Sequence, residues 1–285
     1  MSKIILRKFC SNNNHLKLET IYQHKNYSWF FCKNCHLLFC SNKNKKNRFF
    51  KNRLDIFNSF KDSNKYEFLS IIKKVQQILN YKKKISWLDF GCGTGNDLLQ
   101  IKGIYNAIGY EPNKYLYKKC KTRKLNVINN LVKIKSKKFD VIFSRNTFKY
   151  IDNFPNAISL VSKKIKKNGL LVWRDKYFDY FPCKFDEQIE SMVTGSNLNK
   201  KAINYYLSLN KLEIILSKFY FDNSFFIIAR KKAKPIKYDY ERLSNFSINY
   251  YLIKHQSLLN IIYFTRLIIQ KAIFLIKNIY RASRR

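Results

Sequence analysis

With 285 residues the chain can bury one core of ordinary domain size and one or two small appendages. Apolar residues make up 46% and aromatic residues 16%, which excludes a disordered polymer, and no run of about 18 uncharged apolar residues offers a membrane-spanning helix. A formal charge of +38, from 56 Lys and Arg against 18 Asp and Glu, favours anionic partners: nucleic acid, an anionic membrane surface or a polyanionic glycan.

The lysines are spread through every segment, as in Asn42–Asn47 and Tyr81–Lys84, beside abundant Ile, Phe, Tyr and Asn. An A/T-rich genome imposes the same mixture on an ordinary enzyme, so nucleic acid is not the favoured partner.

In chain order, residues 1–48 are rich in Cys, His and aromatics. Cys32 and Cys35 have the Cys-x-x-Cys spacing of a zinc knuckle, where two thiolates bind one tetrahedral ion from a single turn. Seven cysteines is an odd number, and the basic start shows no secretory pattern. Metal binding is therefore expected over a disulfide framework, in a cytoplasmic protein. Residues 49–84 read as a helical connector, with apolar positions at Phe68, Leu69, Ile71, Ile72, Val75, Ile78 and Leu79.

From residue 85 to 232 short apolar runs alternate with amphipathic ones, the texture of a parallel α/β sheet. Strands are predicted at Ile85–Phe90, Ala107–Glu111, Asn126–Ile128, Phe139–Ser144 and Leu170–Arg174. Helices are predicted at Asn96–Ile101, Tyr115–Thr122, Ile158–Ile165 and Asn199–Leu209. Glu213–Phe219 and Ser224–Ala229 read as a closing antiparallel hairpin.

The strongest local signal is Leu88-Asp89-Phe90-Gly91-Cys92-Gly93-Thr94-Gly95, where the first of these strands meets a helix. Glycine allows the backbone of such a turn to approach a ligand, and the helix beyond offers free N–H groups. A dinucleotide fingerprint would place its third glycine at Asn96, but the third glycine is Gly95. No Gly-Lys-Ser/Thr follows, which also disfavours a phosphate loop. Glu111 ends the next strand, where a carboxylate can accept both hydroxyls of a ribose.

With Phe139-Asp140-Val141-Ile142 and Gly169-Leu170-Leu171-Val172-Trp173 added in order, residues 85–232 resemble a class I S-adenosylmethionine-dependent methyltransferase. The resemblance implies a Rossmann-like seven-stranded sheet. It implies S-adenosylmethionine held by Asp89, Gly91, Cys92, Gly93, Gly95 and Glu111, with the glycine loop on the methionine part and Glu111 on the ribose. Where the common subfamily has a Glu-His pair after the fourth strand, this chain has Lys149 and Tyr150. All four histidines (His15, His24, His36 and His255) lie outside the predicted domain. Methyl transfer is a direct displacement and needs alignment more than proton transfer. Tyr150 and Asp152 are the candidate catalytic side chains, with Asp175 and Asp179 as neighbours to watch.

The front of the chain resembles a zinc module found in methyltransferases of sugar and antibiotic pathways. That resemblance implies Cys10, His15, Cys32 and Cys35 as ligands, with Asn13 standing where a fourth cysteine would be; His36 and Cys40 are less natural substitutes. Residues 233–285 form a basic tail. From 248 onward Leu258, Ile261, Ile268, Ile269, Ala272, Leu275, Ile276 and Ile279 gather on one helical face, and Arg266, Lys277 and Arg281 on the other. Such a helix suits the inner face of an anionic membrane, or packing on the domain or a second subunit.

The implied function is methylation of a sugar nucleotide, a surface-glycan intermediate or a lipid-linked sugar, in polysaccharide biosynthesis. RNA or protein methylation and a catalytically degenerate binding domain are the rivals.

Overall fold

A computed structural model describes residues 18–23, 27–32, 37–42, 65–80, 84–134, 137–151, 153–176, 196–220, 224–236 and 265. The described strands are β1 (Leu18–Gln23), β2 (Tyr27–Cys32), β3 (Leu38–Asn42), β4 (Ser86–Phe90), β5 (Asn106–Tyr110) and β6 (Val127–Ile128). They continue with β7 (Phe139–Arg145), β8 (Ile165–Lys176), β9 (Ser196–Asn197), β10 (Leu212–Phe219) and β11 (Ser224–Lys231). The helices are α1 (Lys65–Leu79), α2 (Asn96–Ile101), α3 (Lys114–Thr122), α4 (Phe154–Lys164) and α5 (Lys200–Leu209).

Seven strands form one sheet in the order β10-β11-β8-β7-β4-β5-β6. The pairs from β8 through β7, β4 and β5 to β6 are parallel, and β11 runs against both β8 and β10. The predicted α/β sheet and its closing hairpin are both present. The central strands are covered on both faces, which is why Trp87–Phe90 and Phe139–Ser144 are buried throughout and read as near-continuous apolar runs, interrupted by Asp89 and Asp140.

One face packs Phe68, Ile71, Ile72 and Val75 of α1 against Trp87, Val141, Phe143 and Val172. On the other face, Phe154, Ile158 and Val161 of α4 and Ile203 and Tyr206 of α5 meet Leu88, Ile142, Trp173 and Phe225.

Two boundaries differ from the sequence reading by more than two residues. Helix α4 begins at Phe154, earlier than Ile158, because the Asn153 carboxamide caps Asn156 N–H at 3.1 Å and a proline sits in the first turn. Ile165 leaves the helix and pairs with Phe139, so β8 starts before Leu170. The ladder then shifts register to Val141–Leu170 across the turn at Asn168 (φ 62°).

The described part of residues 1–48 is an antiparallel sheet, β1-β2-β3, extended by β9 from the strand-rich domain. Cys32 and Leu37 are buried in the same apolar cluster as Phe148 and Trp173. Cys10, His15 and Cys35, three of the four expected metal ligands, lie outside the described residues, as do Asp152, Asp179 and the tail from 248 onward apart from Thr265. No helix among the described residues is long and apolar enough to cross a membrane.

Candidate active site

The chain runs from β4 outward to β5 and β6, then returns to the other side of β4 with β7 and β8. This reversal leaves a crevice above the C-terminal ends of β4 and β7, the place where ligands bind in sheets of this kind. Residues 91–95 and 146–150 are the connections that leave these two strand ends.

Gly91, Gly93 and Gly95 all have positive φ, at 79°, 57° and 79°. At Gly91 and Gly95 the packing is also tight: a Cβ would overlap the Thr147 and Leu125 side chains respectively. Gly93 is the opposite case, with open space where a Cβ would lie. The loop is sewn to β5 by Gly91 N–H and Cys92 N–H, which both donate to Tyr110 O at 2.8 and 3.1 Å. From α3, Arg123 Nη1 donates to Thr94 O at 2.6 Å and Asn96 Oδ1 at 2.7 Å.

Glu111 is buried beside this loop. Its Oε2 accepts Gly93 N–H at 2.8 Å, and its Oε1 accepts Asn113 N–H at 2.9 Å. Burial pushes its pKa up, and the two N–H donors pull it back. A carboxylate has about four lone-pair sites, so two remain for a ligand diol.

Under the loop, Cys120 Sγ donates to Gly93 O at 3.1 Å, and the Cys92 and Cys120 thiols share a hydrogen bond. That bond holds Cys120 below the usual thiol range and, with burial, raises Cys92 above it.

A ladder of partly buried charge crosses the same strand ends. Arg145 Nη2 donates to Asp97 Oδ1 at 2.8 Å, and Arg174 Nη1 to Glu67 Oε2 at 2.6 Å. Asp89 has no such partner: its Oδ2 is buried without a hydrogen bond among the described residues. Burial first, then Asp97, raises its pKa, with Arg145 opposing. Three carboxylates against two guanidinium groups leave the ladder one cation short.

Beyond β7, Asn146 turns the chain with φ 53°, and Thr147 Oγ1 donates to Arg145 O at 3.1 Å beside Gly91. A short 3-10 turn, Phe148–Tyr150, follows, and β9 lies against it. Lys149 N–H donates to Asp175 Oδ2 at 3.3 Å, and its Nζ stands 3.9 Å from Asp175 Oδ1 and 4.9 Å from the centre of the Tyr150 ring.

Asp89 lies in β4, Gly91, Cys92, Gly93 and Gly95 form the loop after it, Glu111 follows β5 and bonds to Gly93, and Tyr150 ends the 3-10 turn after β7. Sequence reasoning missed Arg123, Thr147, Asp97 and Arg145; all four act across the fold, and their side chains carry no local pattern. Asp140, prominent in the sequence, sits at the opposite edge. It accepts Ser86 N–H and Oγ–H at 2.8 and 2.6 Å and pairs with Lys166 at 3.0 Å, tying strand starts together.

A family model described as a methyltransferase domain matches residues 63–223, more than half of the chain. An uncharacterized protein of Haemophilus influenzae is 28% identical over 105 residues, 32% of this chain and 41% of that protein; the chain thus spans less than half the length of this relative. Among solved structures, an O-methyltransferase family protein from Burkholderia thailandensis aligns with TM-score 0.48 at 14% identity, covering 64% of this chain and 61% of that one. Phosphoethanolamine N-methyltransferase 2 of Haemonchus contortus, in complex with S-adenosyl-L-methionine, aligns with TM-score 0.47 at 13% identity over 59% and 52% of the two chains. A SAM-dependent methyltransferase from Archaeoglobus fulgidus aligns with TM-score 0.46 at 17% identity over 59% and 97%.

Proposed function

This chain belongs to the methyltransferase-domain family, and we propose that it transfers a methyl group from S-adenosylmethionine to a small-molecule acceptor. The observation that carries the reading is the Glu111–Gly93 pairing: a buried carboxylate bonded to the glycine loop at a residue with open space where a Cβ would lie. S-adenosylmethionine supplies, when bound, an electrophilic methyl group on a sulfonium. Glu111 has two lone-pair sites for ribose hydroxyls, Gly93 gives close backbone approach, and the unbonded Asp89 oxygen, which a nearby cation would help to ionise, suits a cationic ligand. Alignment over the ends of β7 and β8 is what the remaining residues contribute.

Calorimetry tests this directly. The wild type is expected to bind S-adenosylmethionine, and Glu111→Ala to bind it about 10–100-fold more weakly, the scale of hydrogen bonds to a charged group. Failure of the wild type to bind overturns the reading.

Sugar nucleotides, surface-glycan intermediates and lipid-linked sugars are the acceptor class we favour, on the resemblance of the cysteine-bearing front and the basic amphipathic tail. Cys32 N–H donates to Leu37 O at 3.0 Å, closing the connection that contains Cys35. Zinc bound by Cys10, His15, Cys32 and Cys35 belongs to the same proposal, and metal analysis of the protein beside Cys32→Ser decides it. A cytoplasmic enzyme resting on an anionic membrane through residues 248–285 is tested by liposome sedimentation of a chain ended before Ile248. The Lys149-Tyr150 replacement supports one rival, a domain that binds the cofactor without turnover.

A further inference from the structure

We propose that Lys149 is a specificity-determining residue that binds an anionic group, a phosphate or diphosphate, of the acceptor. This rests on the methyltransferase reading and narrows its substrate class.

Lys149 stands over the C-terminal ends of β7 and β8, two residues from Thr147, which touches Gly91 on the cofactor side. Its ammonium is held loosely. One N–H reaches Asn146 Oδ1 at 3.4 Å, and Asp175 Oδ1, at 3.9 Å, is an ion-pair contact beyond hydrogen-bond range. An ammonium has three donors, so the group keeps donor capacity, and the side chain is 23% exposed.

Asp175 is wholly buried and receives the Lys149 N–H and the Trp173 indole N–H, at 3.3 and 3.4 Å. Anchored through its backbone, the lysine is fixed at its root while its charged tip stays adaptable. Tyr150, 4.9 Å away, walls the same cation. Asp175 is a positioning residue in this arrangement. A cation at the acceptor mouth selects against cationic acceptors and for anionic ones. Nucleoside-diphosphate sugars and polyprenyl-diphosphate sugars both present the required group.

The test uses full-length protein loaded with S-adenosylhomocysteine, titrated with inorganic pyrophosphate. Citrate, titrated in a parallel arm, separates phosphate from carboxylate recognition. Wild type is expected to bind one pyrophosphate at this site, Lys149→Met to bind it at least about tenfold more weakly, and Lys149→Arg to restore it. All three should bind S-adenosylhomocysteine equally; its loss from wild type would count against the methyltransferase reading instead. The double variant Lys149→Met, Asp175→Asn removes both charges and so guards against a folding defect from a stranded carboxylate. Pyrophosphate should also shield Lys149 of the wild type from reductive methylation. Equal pyrophosphate affinity in wild type and Lys149→Met, tighter binding of citrate than pyrophosphate, or no shielding would each overturn the proposal.

Discussion

At the scale of the residue, the site is governed by carboxylates that burial has made reluctant to ionise. Asp89 is the extreme case, enclosed at the end of β4 with one oxygen unsatisfied among the described residues. Such a group costs stability unless a cation or donor arrives. Asp89→Asn is therefore expected to raise the melting temperature of the ligand-free protein by ~2–4 °C, about 1 kcal/mol, while weakening S-adenosylmethionine about tenfold. A lower melting temperature with unaltered binding would refute this assignment.

Asp97 gives a pH dependence. Its pKa is pushed up to about 6, by burial first, against the pull of Arg145. The folded state therefore holds this proton more tightly than the unfolded chain, whose carboxylate titrates near 3.8. The stability Asp97 contributes is fully present below about pH 4, is lost as pH rises to about 6, and is constant above that. Urea unfolding at pH 4.5 and pH 7 should show the advantage of wild type over Asp97→Asn shrinking with pH. A widening gap would mean that Arg145 dominates.

Elements meet at the site through their ends. The glycine loop is shaped by its own sequence, but it is held by β5 through Tyr110 O, by Thr147 after β7, and by Arg123 at the end of α3. Arg123 joins a backbone carbonyl to the Asn96 side chain at the start of α2, locking the loop between two helices. Arg123→Ala is expected to weaken S-adenosylmethionine about tenfold with little change in the melting temperature, because the lost bonds lie in a partly exposed turn. Circular-dichroism melts beside calorimetry would separate this from general destabilisation.

The predicted helices and strands of residues 96–128 match closely because glycine, proline and capping asparagine mark their ends. Asn113, for example, accepts Tyr115 N–H and Leu116 N–H at 2.9 and 3.2 Å. The start of α4 and the early part of β8 were less legible. There an Asn-Phe-Pro turn and a bulged ladder replace the periodic pattern that the reading follows.

For the whole molecule, the described strands of the cysteine-bearing front meet the core through β9 and Leu37. β9, inserted after β8, pairs with β3, and Leu37 is completely buried with Phe148, Trp173 and Leu198. Truncating a buried leucine costs about 2–5 kcal/mol. Leu37→Ala should therefore lower a single melting transition of the entire chain, followed by calorimetry. A separate early transition, leaving the main one unmoved, would show residues 1–48 to be an independent domain.

The alternation of strand and helix, the spacing of Gly91, Gly93 and Gly95, and Glu111 at the end of the next strand were written in the sequence. Each is a local matter of backbone freedom, periodicity and chain direction. Partners at long range were not. The Arg145–Asp97 pair joins residues 48 positions apart, Arg174–Glu67 joins residues 107 apart, and Asp175 of β8 meets Lys149 of the turn after β7. Side-chain identity says that an arginine will seek a carboxylate, but not which one. That choice follows from strand order and register, which bring the ends of β4, β7 and β8 under one crevice. The same register leaves Asp89 without an ion-pair partner among the described residues.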